Sequence, residues 1–398
     1  MSSIIYIFVF LLSGFAIVYT YLLYPLFLSF KAKGKKLDTQ QFDQLSDFPH
    51  VSVLMAVHNE ASVIKEKIES LIRQEYPSNQ FDIYIGSDNS SDDTNKIIKQ
   101  YSQQYPNLHF FPFKERQGKP GVINQLARTA NKQHPSGKNH VYLITDASVI
   151  LKKDVVVELC KHFKHPSLAI VDAHMLHTGM QDEDISQSEN KYISWEGRLK
   201  YHESILWKKM IGPFGGCYAL RSDFFTPVPD NFLVDDFYIT MQAFLKGGLA
   251  INAPDAICYE PVGHQIKEEF RRKSRISAGN IQNMLLFRKL WWPPVGLPNF
   301  LFFSHKILRW FGPIWLILLL ISSGLLAQIL LFKIIFFGLL SIYFLIPLLD
   351  NLLKKAGYHW SLLRNIHYFL IMNVALLAGY FRYAKGIQSN VWQPPKRQ

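Results

Sequence analysis

Carboxylates at the ends of apolar runs are the residues of this chain best suited to chemistry. VSVLMAV (51–57) leads into His58-Asn59-Glu60, FDIYIGSD (81–88) ends on Asp88, and VYLITDAS (141–148) carries Asp146 near its end. If these runs are parallel strands, the residues stand at the carboxyl edge of a sheet, where open α/β folds bind ligands. A carboxylate closing an apolar strand needs a partner, and for Asp146 that partner is a cation. Ser90-Ser91-Asp92-Asp93-Thr94 reads as a helix start, with Ser90 or Ser91 as cap and the acids in the first turn. Asp235-Asp236, taken alone, reads as an acidic helix N-terminus. Lys119 alone reads as a solvated loop lysine and Gly215-Gly216 as a tight turn. The cluster Arg271 to Arg275 alone reads as a contact for anionic lipid.

The elements that must position these residues follow from periodicity. LHFFPF (108–113) and LAIVDAHM (168–175) join the three runs above as short buried strands. Between the first two runs, Ile64, Ile68, Leu71 and Ile72 recur at helical spacing, and Ile97, Ile98, Tyr101 and Tyr105 do so before the next. Strand, helix, strand at this spacing predicts βαβ units and a mostly parallel sheet over 50–280.

The chain has 398 residues, 48% hydrophobic and 19% charged. This composition excludes disorder, collagen and a small disulfide scaffold. Cys160, Cys217 and Cys258 are odd in number and lack a CxxC spacing, which argues against a disulfide framework or a Cys-based zinc site and fits a reducing compartment. The net charge of +12 is unevenly placed. Lys31, Lys33, Lys35 and Lys36 follow an uncharged run from Ile4 to Phe30, residues 37–282 are slightly acidic, and 283–398 hold a single acid, Asp350. Basic charge that flanks apolar segments meets lipid headgroups; a nucleic-acid protein would carry it as a stripe on the folded domain.

Residues 1–30 are therefore expected to form a transmembrane anchor, with the lysines after it on the cytoplasmic side. Residues 283–310 mix aromatics, cations and prolines and suit the membrane interface. Residues 311–384 are expected to form transmembrane helices, with Phe311–Phe332 as a clear span and 334–349 and 365–381 as marginal ones; 385–398 is a basic tail. Three C-terminal crossings would put Lys385, Lys396 and Arg397 outside, against the positive-inside rule, unless one short segment does not cross.

Taken together, VSVLMAVHNE, GSDNSSDDT, RQGKPGVIN, ITDAS and VDDF occur in the order and spacing of the inverting nucleotide-sugar glycosyltransferases of family 2, which the chain resembles over about 50–280. The apolar C-terminal segments extend that resemblance to the membrane-bound members, the relatives of cellulose, hyaluronan and poly-N-acetylglucosamine synthases. The resemblance implies an α/β GT-A fold, a Rossmann-like nucleotide-diphospho-sugar transferase domain between N- and C-terminal transmembrane helices. It implies that Val57, His58 and Glu60 line the nucleoside pocket, that Asp88 reads the base, and that Lys119 lies near the donor. Asp146-Ala147-Ser148 matches the family's metal-binding Asp-x-Asp, with Ser148 replacing the second acid and Mg²⁺ or Mn²⁺ as the expected ion. Asp236 matches the general base, with Asp235 beside it raising its pKa. Gly215 and Gly216 match the acceptor-side loop, and Arg275 the arginine that faces the diphosphate. Arg272 and Ile276 replace the Gln and Trp of the polymer-forming pattern Gln-x-x-Arg-Trp.

The implied activity is metal-dependent, inverting transfer of a sugar from a nucleotide-diphosphate donor, expected to be UDP-linked, to a lipid-linked or membrane-proximal saccharide. It would serve envelope glycolipid or surface-polysaccharide synthesis in a multi-pass protein of the bacterial cytoplasmic membrane, its catalytic domain in the cytoplasm. The alternatives are a processive polysaccharide synthase coupled to export and a non-catalytic membrane scaffold of the same fold. Nucleic acid is not an expected partner.

Overall fold

A computed structural model describes residues 2–135, 137, 139–180, 185–263 and 265–387; most of the basic tail (388–398) lies outside them. The chain divides into two compact units. One combines Met1–Lys33, Met180–Ser194 and Val262–Gly386; the other is built from Gly34–Gly179 and Trp195–Pro261.

Two helices open the first unit, α1 (Ser2–Val18) and α2 (Tyr24–Ala32), joined through a π-helical turn at Tyr19–Leu23. The second unit follows with β1 (His50–Val57), α3 (Ile64–Ile72), β2 (Phe81–Asp88), α4 (Thr94–Gln104), β3 (Leu108–Phe113), α5 (Gly118–Gln133) and β4 (His140–Thr145). These are the expected βαβ units, and β1 pairs in parallel with both β2 and β4 while β2 pairs in parallel with β3. Val51, Val53 and Met55 on one face of β1 and Leu54 on the other, with Ile83 and Ile85 on one face of β2 and Tyr84 on the other, are fully buried, as both-face coverage of a parallel sheet requires. Gly86 is needed for that coverage, because a Cβ there would lie 2.4 Å from Val122 Cγ1 on α5.

The sheet then leaves the simple pattern. β5 (Ile150–Leu151), α6 (Val155–Cys160), β6 (Leu168–Thr178), α7 (Ser186–Trp207), β7 (Cys217–Arg221), α8 (Asp235–Leu245) and β8 (Leu249–Pro261) complete an eight-stranded sheet of order β3-β2-β1-β4-β7-β6-β8-β5. β7 runs antiparallel between β4 and β6. β4 ends at Thr145, so Asp146-Ala147-Ser148, read above as strand, lies in the turn after it. The expected serine cap of α4 is also replaced: Asp92 Oδ1 accepts the Thr94 N–H at 3.1 Å, and its Oδ2 accepts the Ala61 N–H at 3.0 Å.

The first unit resumes with α9 (Ile266–Leu286), α10 (Asn299–Phe302), α11 (Leu308–Trp310), α12 (Gly312–Leu325), α13 (Leu330–Lys355) and α14 (Ser361–Ala384). Among the described residues, three helices are long and apolar enough to cross a membrane: Ser3–Ala32, Leu330–Lys355 and Ser361–Ala384. The expected clear span Phe311–Phe332 is not one helix. Asn299–Trp310 and Gly312–Leu325 form a pair bent by 60°, and the helix breaks again before Leu330. An uncharged run does not ensure a continuous helix: Gly324 raises its conformational cost near that break, and Gly324 also lets the Phe336 ring approach to where a Cβ would meet it at 3.0 Å. The two segments read as marginal spans lie instead within 26- and 24-residue helices. Close contact between α9 and α14 depends on Gly379, whose absent Cβ would lie 2.3 Å from Ser277 Cβ.

Candidate active site

The turns after β1 and β2 are bolted together by side chains. Asn59, at φ +52°, donates its N–H to Ser90 Oγ at 3.1 Å and accepts the Ser91 N–H at 2.8 Å. Glu60 donates its N–H to Thr94 Oγ1 at 2.8 Å. His58 is buried, with Nδ1 2.8 Å from the Asp88 carbonyl and Nε2 2.7 Å from the Arg116 guanidinium. A carbonyl only accepts and a guanidinium only donates, so the ring is a neutral Nδ1–H tautomer. Burial and the nearby Arg116 charge lower its pKa, which favours that neutral form.

Asp88 is fully buried. Its carboxylate accepts from Gln117 N–H at 2.6 Å, Gly118 N–H at 3.1 Å and Arg116 Nε at 3.0 Å. The expected base-reading residue thus holds the loop that opens α5, and neither carboxylate oxygen is free of a protein donor. Val57 is likewise sealed in the core. Arg116, within the quoted RQGKP motif but not singled out from sequence, ties His58 to Asp88.

A second group gathers around Lys119, on the first turn of α5. Its Nζ lies 2.7 Å from Asp146 Oδ1 and 3.8 Å from Asp235 Oδ2. Burial works against its charge, but Asp146 and Asp235 outweigh that and raise its pKa. Asp236 follows Asp235 at the start of α8, and its pKa is pushed up to about 6, first by burial and second by the Asp235 charge. The sequence reading assigned that rise to Asp235 alone; desolvation is the larger cause.

Glycines admit these acids. A Cβ on Gly215 would lie 2.4 Å from Asp236 Oδ2, and one on Gly216 would lie 2.9 Å from Val149 Cγ2. The Gly216 carbonyl accepts from Asp146 N–H at 3.0 Å and Thr145 Oγ1 at 2.9 Å, which fixes the turn carrying Asp146. Gly215→Ala is therefore expected to displace the Asp236 carboxylate and cut any reaction that depends on it by about 10²-fold. Initial rates measured beside donor-induced thermal shifts check this; a wild-type rate would contradict it.

Buried charges brace the site from below. Lys67 of α3 is fully buried, donating to Thr145 Oγ1 at 2.7 Å and to the Val149 carbonyl at 2.6 Å, and burial lowers its pKa to about 8. Asp172 on β6 accepts from Lys200 at 3.1 Å and from the Phe214 N–H at 2.7 Å, which orients the chain entering Gly215. The Tyr218 hydroxyl is buried with no hydrogen-bond partner; burial and then the charges of Asp235 and Asp236 raise its pKa, so it stays a phenol. Sequence alone flagged none of these three, because each acts through tertiary contact.

Three carboxylates here face one ammonium. The Asp235 Oδ2 atom is buried without a hydrogen-bond partner among the described residues, and the Asp146 side chain is 38% exposed. An excess of oxygen donors with one open carboxylate fits a hard divalent cation. Ser148 is less well placed, since its hydroxyl is directed to Glu260 Oε1 at 3.5 Å. Arg275 lies on α9, in the other unit. On that helix Arg272 and Lys273 are paired with Glu189 at 2.7 and 3.2 Å and also with Glu269, so they are internal ion pairs and not lipid contacts alone.

The model of glycosyl transferase family 2 matches residues 52–226, and that of glycosyl transferase family group 2 matches residues 140–381. A probable glycosyltransferase, YdaM of Bacillus subtilis (strain 168), is 24% identical over 289 residues, covering 68% of this chain and 66% of its own. A beta-monoglucosyldiacylglycerol synthase of Trichormus variabilis (strain ATCC 29413 / PCC 7937) is 27% identical over 133 residues, 33% of this chain and 27% of its own. The chain thus spans about two thirds of the first relative and about a quarter of the second. Among solved structures, the mannosyltransferase PcManGT from Pyrobaculum calidifontis, in complex with GDP-Man and Mn²⁺, aligns with a TM-score of 0.67 at 19% identity, covering 94% of this chain and 99% of that one. That likeness shows the shared α/β GT-A fold. With the model of glycosyl transferase family group 2 matched across more than half of its length, and a glycosyl transferase family 2 domain over residues 52–226, the chain belongs to the family 2 group of glycosyltransferases.

Proposed function

We propose that this protein is a membrane-bound, inverting glycosyltransferase that moves a sugar from a nucleoside-diphosphate donor to an acceptor at the membrane. One observation carries the reading: Lys119, Asp146, Asp235 and Asp236 converge beside Gly215, whose missing Cβ leaves room for the Asp236 carboxylate. Asp236 takes the proton of an acceptor hydroxyl as that oxygen bonds to the anomeric carbon. The bond from that carbon to the diphosphate breaks on the opposite face, so the configuration inverts. Asp146 is the exposed carboxylate that would hold Mg²⁺ or Mn²⁺, which supplies charge neutralisation for the leaving diphosphate. Lys119 adds a fixed positive charge at the same place. Ser148 contributes at most a weak neutral ligand.

The mannosyltransferase neighbour holds GDP-Man, and the sealed Asp88 carboxylate offers no open edge to a uracil imide. Donor choice is therefore tested across both UDP- and GDP-linked sugars. The experiment is thermal unfolding of the purified protein in detergent with each donor, with and without Mn²⁺. Cation-dependent protection by one donor class supports the reading; no protection by any donor overturns it. The similarity to a glucosyldiacylglycerol synthase and the apolar helices support a lipid or lipid-linked acceptor.

Three crossings with α10–α12 dipping into the bilayer and returning place Lys385 on the same side as Lys31–Lys36, in keeping with the positive-inside rule. This resolves the conflict that three C-terminal crossings create. A reporter fused after Gln398 is expected to read cytoplasmic, together with one inserted in the 34–49 segment. Reporters on opposite sides would show that the bent pair crosses.

A further inference from the structure

Opposite the acidic cluster, at the amino edge of the parallel strands, four histidines surround one carboxylate. His50 starts β1, Asp82 lies at the start of β2, His109 is on β3, and His134 follows α5. An eight-residue strand separates this edge from the carboxyl edge by roughly 20 Å. His50 Nε2 is 3.0 Å and His134 Nε2 is 3.1 Å from the same oxygen, Asp82 Oδ2. His109 Nε2 is 3.4 Å from Oδ1, and His140 stands edge-on to both His50 and His134. Among the described residues, His50, Asp82 and His134 are the one group of three metal-ligating side chains whose ligand atoms all lie within 4.8 Å of one another.

Hydrogen bonds from His134 Nε2 to Oδ2 at 3.1 Å and from His109 Nε2 to Oδ1 at 3.4 Å account for two of the three approaches and leave His50 over. His50 Nε2 is buried and, despite its 3.0 Å approach to Asp82, has no hydrogen-bond partner in adequate geometry. The His50 and His134 rings stack at 3.6 Å between centroids, which would set two like charges face to face if both were protonated. Ligand bonds of about 2.0–2.1 Å in a tetrahedron give ligand–ligand edges of about 3.3 Å, near the 3.0 and 3.1 Å approaches of His50 and His134 to Asp82, and the two stacked rings would open to roughly 5 Å between centroids to share one ion.

We propose that His50, His134 and Asp82 bind a zinc-class divalent ion, separate from the sugar-transfer site. Neutral imidazoles favour zinc and its neighbours over Mg²⁺, which requires oxygen ligands and waters. His109 holds the second carboxylate oxygen, the outer contact that fixes the ligand's orientation. A fourth position is left for water, and the His134 side chain, 36% exposed, marks the entry side. The ion ties the starts of β1 and β2 to the end of α5, so its role is to stabilise the fold. No local spacing motif announces it, because its ligands are spread from residue 50 to residue 134.

The test uses the full chain in detergent with any affinity tag removed. After dialysis against zinc and then against metal-free buffer, metal analysis is expected to find about one zinc per chain. A strong chelator is expected to lower the thermal midpoint, and zinc but not Mg²⁺ to restore it, as for a ligand that binds only the folded state. Cobalt(II) added to the wild-type protein is expected to give the visible bands of a tetrahedral nitrogen–oxygen site, a readout that needs no variant. H134Q, at the most exposed ligand, and D82N are both expected to lose the zinc and the cobalt bands. Substoichiometric zinc with no midpoint shift, or zinc retained at wild-type level in a folded H134Q or D82N, overturns the proposal.

Discussion

D236N is expected to lower sugar transfer by roughly 10²-fold or more while leaving donor binding nearly intact, because it removes proton acceptance and keeps the side-chain shape. The surroundings of Asp236 suit it to that proposed task. Burial and the neighbouring Asp235 push its pKa up to about 6, so it is ionised near neutral pH yet basic enough to take a proton. Wild-type activity should therefore rise with pH and level off above about 6, because below that value the carboxyl already carries the proton it must accept. In D236N this limb should vanish along with most of the rate. The shift has a stability consequence as well. Folded Asp236 keeps its proton up to about 6, against an ordinary value of 3.8, so the folded state binds the extra proton between these limits. Stability falls as pH rises through that window. D236N escapes this loss and should be more stable than wild type near neutral pH, by on the order of 1–3 kcal/mol. An inactive variant that is also more stable would separate a catalytic defect from a folding defect. Near-wild-type transfer by D236N would show that the base is another residue.

D146A is expected to fail at an earlier step. Asp146 is the cluster's most solvent-open carboxylate and the closest partner of Lys119. Without it, Lys119 retains Asp235 at 3.8 Å, and the cation loses its exposed ligand. Loss of several kcal/mol of charge stabilisation at the leaving diphosphate corresponds to at least about 10²-fold in rate. Unlike D236N, this variant should also lose the Mn²⁺-dependent part of donor binding, so the two defects separate in a donor titration with and without metal. Equal wild-type activity in EDTA and in Mn²⁺ would sink the assignment of Asp146 as a metal ligand.

The parts of the fold that were legible in the sequence are those that bury themselves through local pattern. β1, β2 and β3 are mostly apolar runs with few polar residues inside them, and α3 and α4 repeat Ile and Tyr at helical spacing. β7 was missed because it spans only Cys217–Arg221 and ends in a fully buried arginine, whose guanidinium donates to the carbonyls of Leu168, Phe163 and His165. β8 was hidden by Asn252, Pro254 and Asp255 and by an irregular register against β6. The 22-residue α7 mixes charge around its circumference, where Lys200 turns inward to Asp172 on β6 and Glu203 to the Ile211 N–H just past the helix. Asp146, Asp235 and Asp236 were visible because an acid at a strand end or a helix start stands out. Lys67, Arg116 and Asp172 were not, since what marks them is the carbonyl, imidazole or amide that each reaches across the fold.

The central claim is that the acidic cluster transfers sugar from a nucleotide donor to a membrane acceptor. Its most direct test is the release of nucleoside diphosphate by the detergent-purified full chain, supplied with Mn²⁺, the donor selected by thermal protection and a bacterial lipid extract. Release that requires both Mn²⁺ and the extract, yields a glycosylated lipid of inverted anomeric configuration and disappears in D236N is the expected result. Release that proceeds equally in D236N, or no release with any UDP- or GDP-linked sugar, would contradict the account.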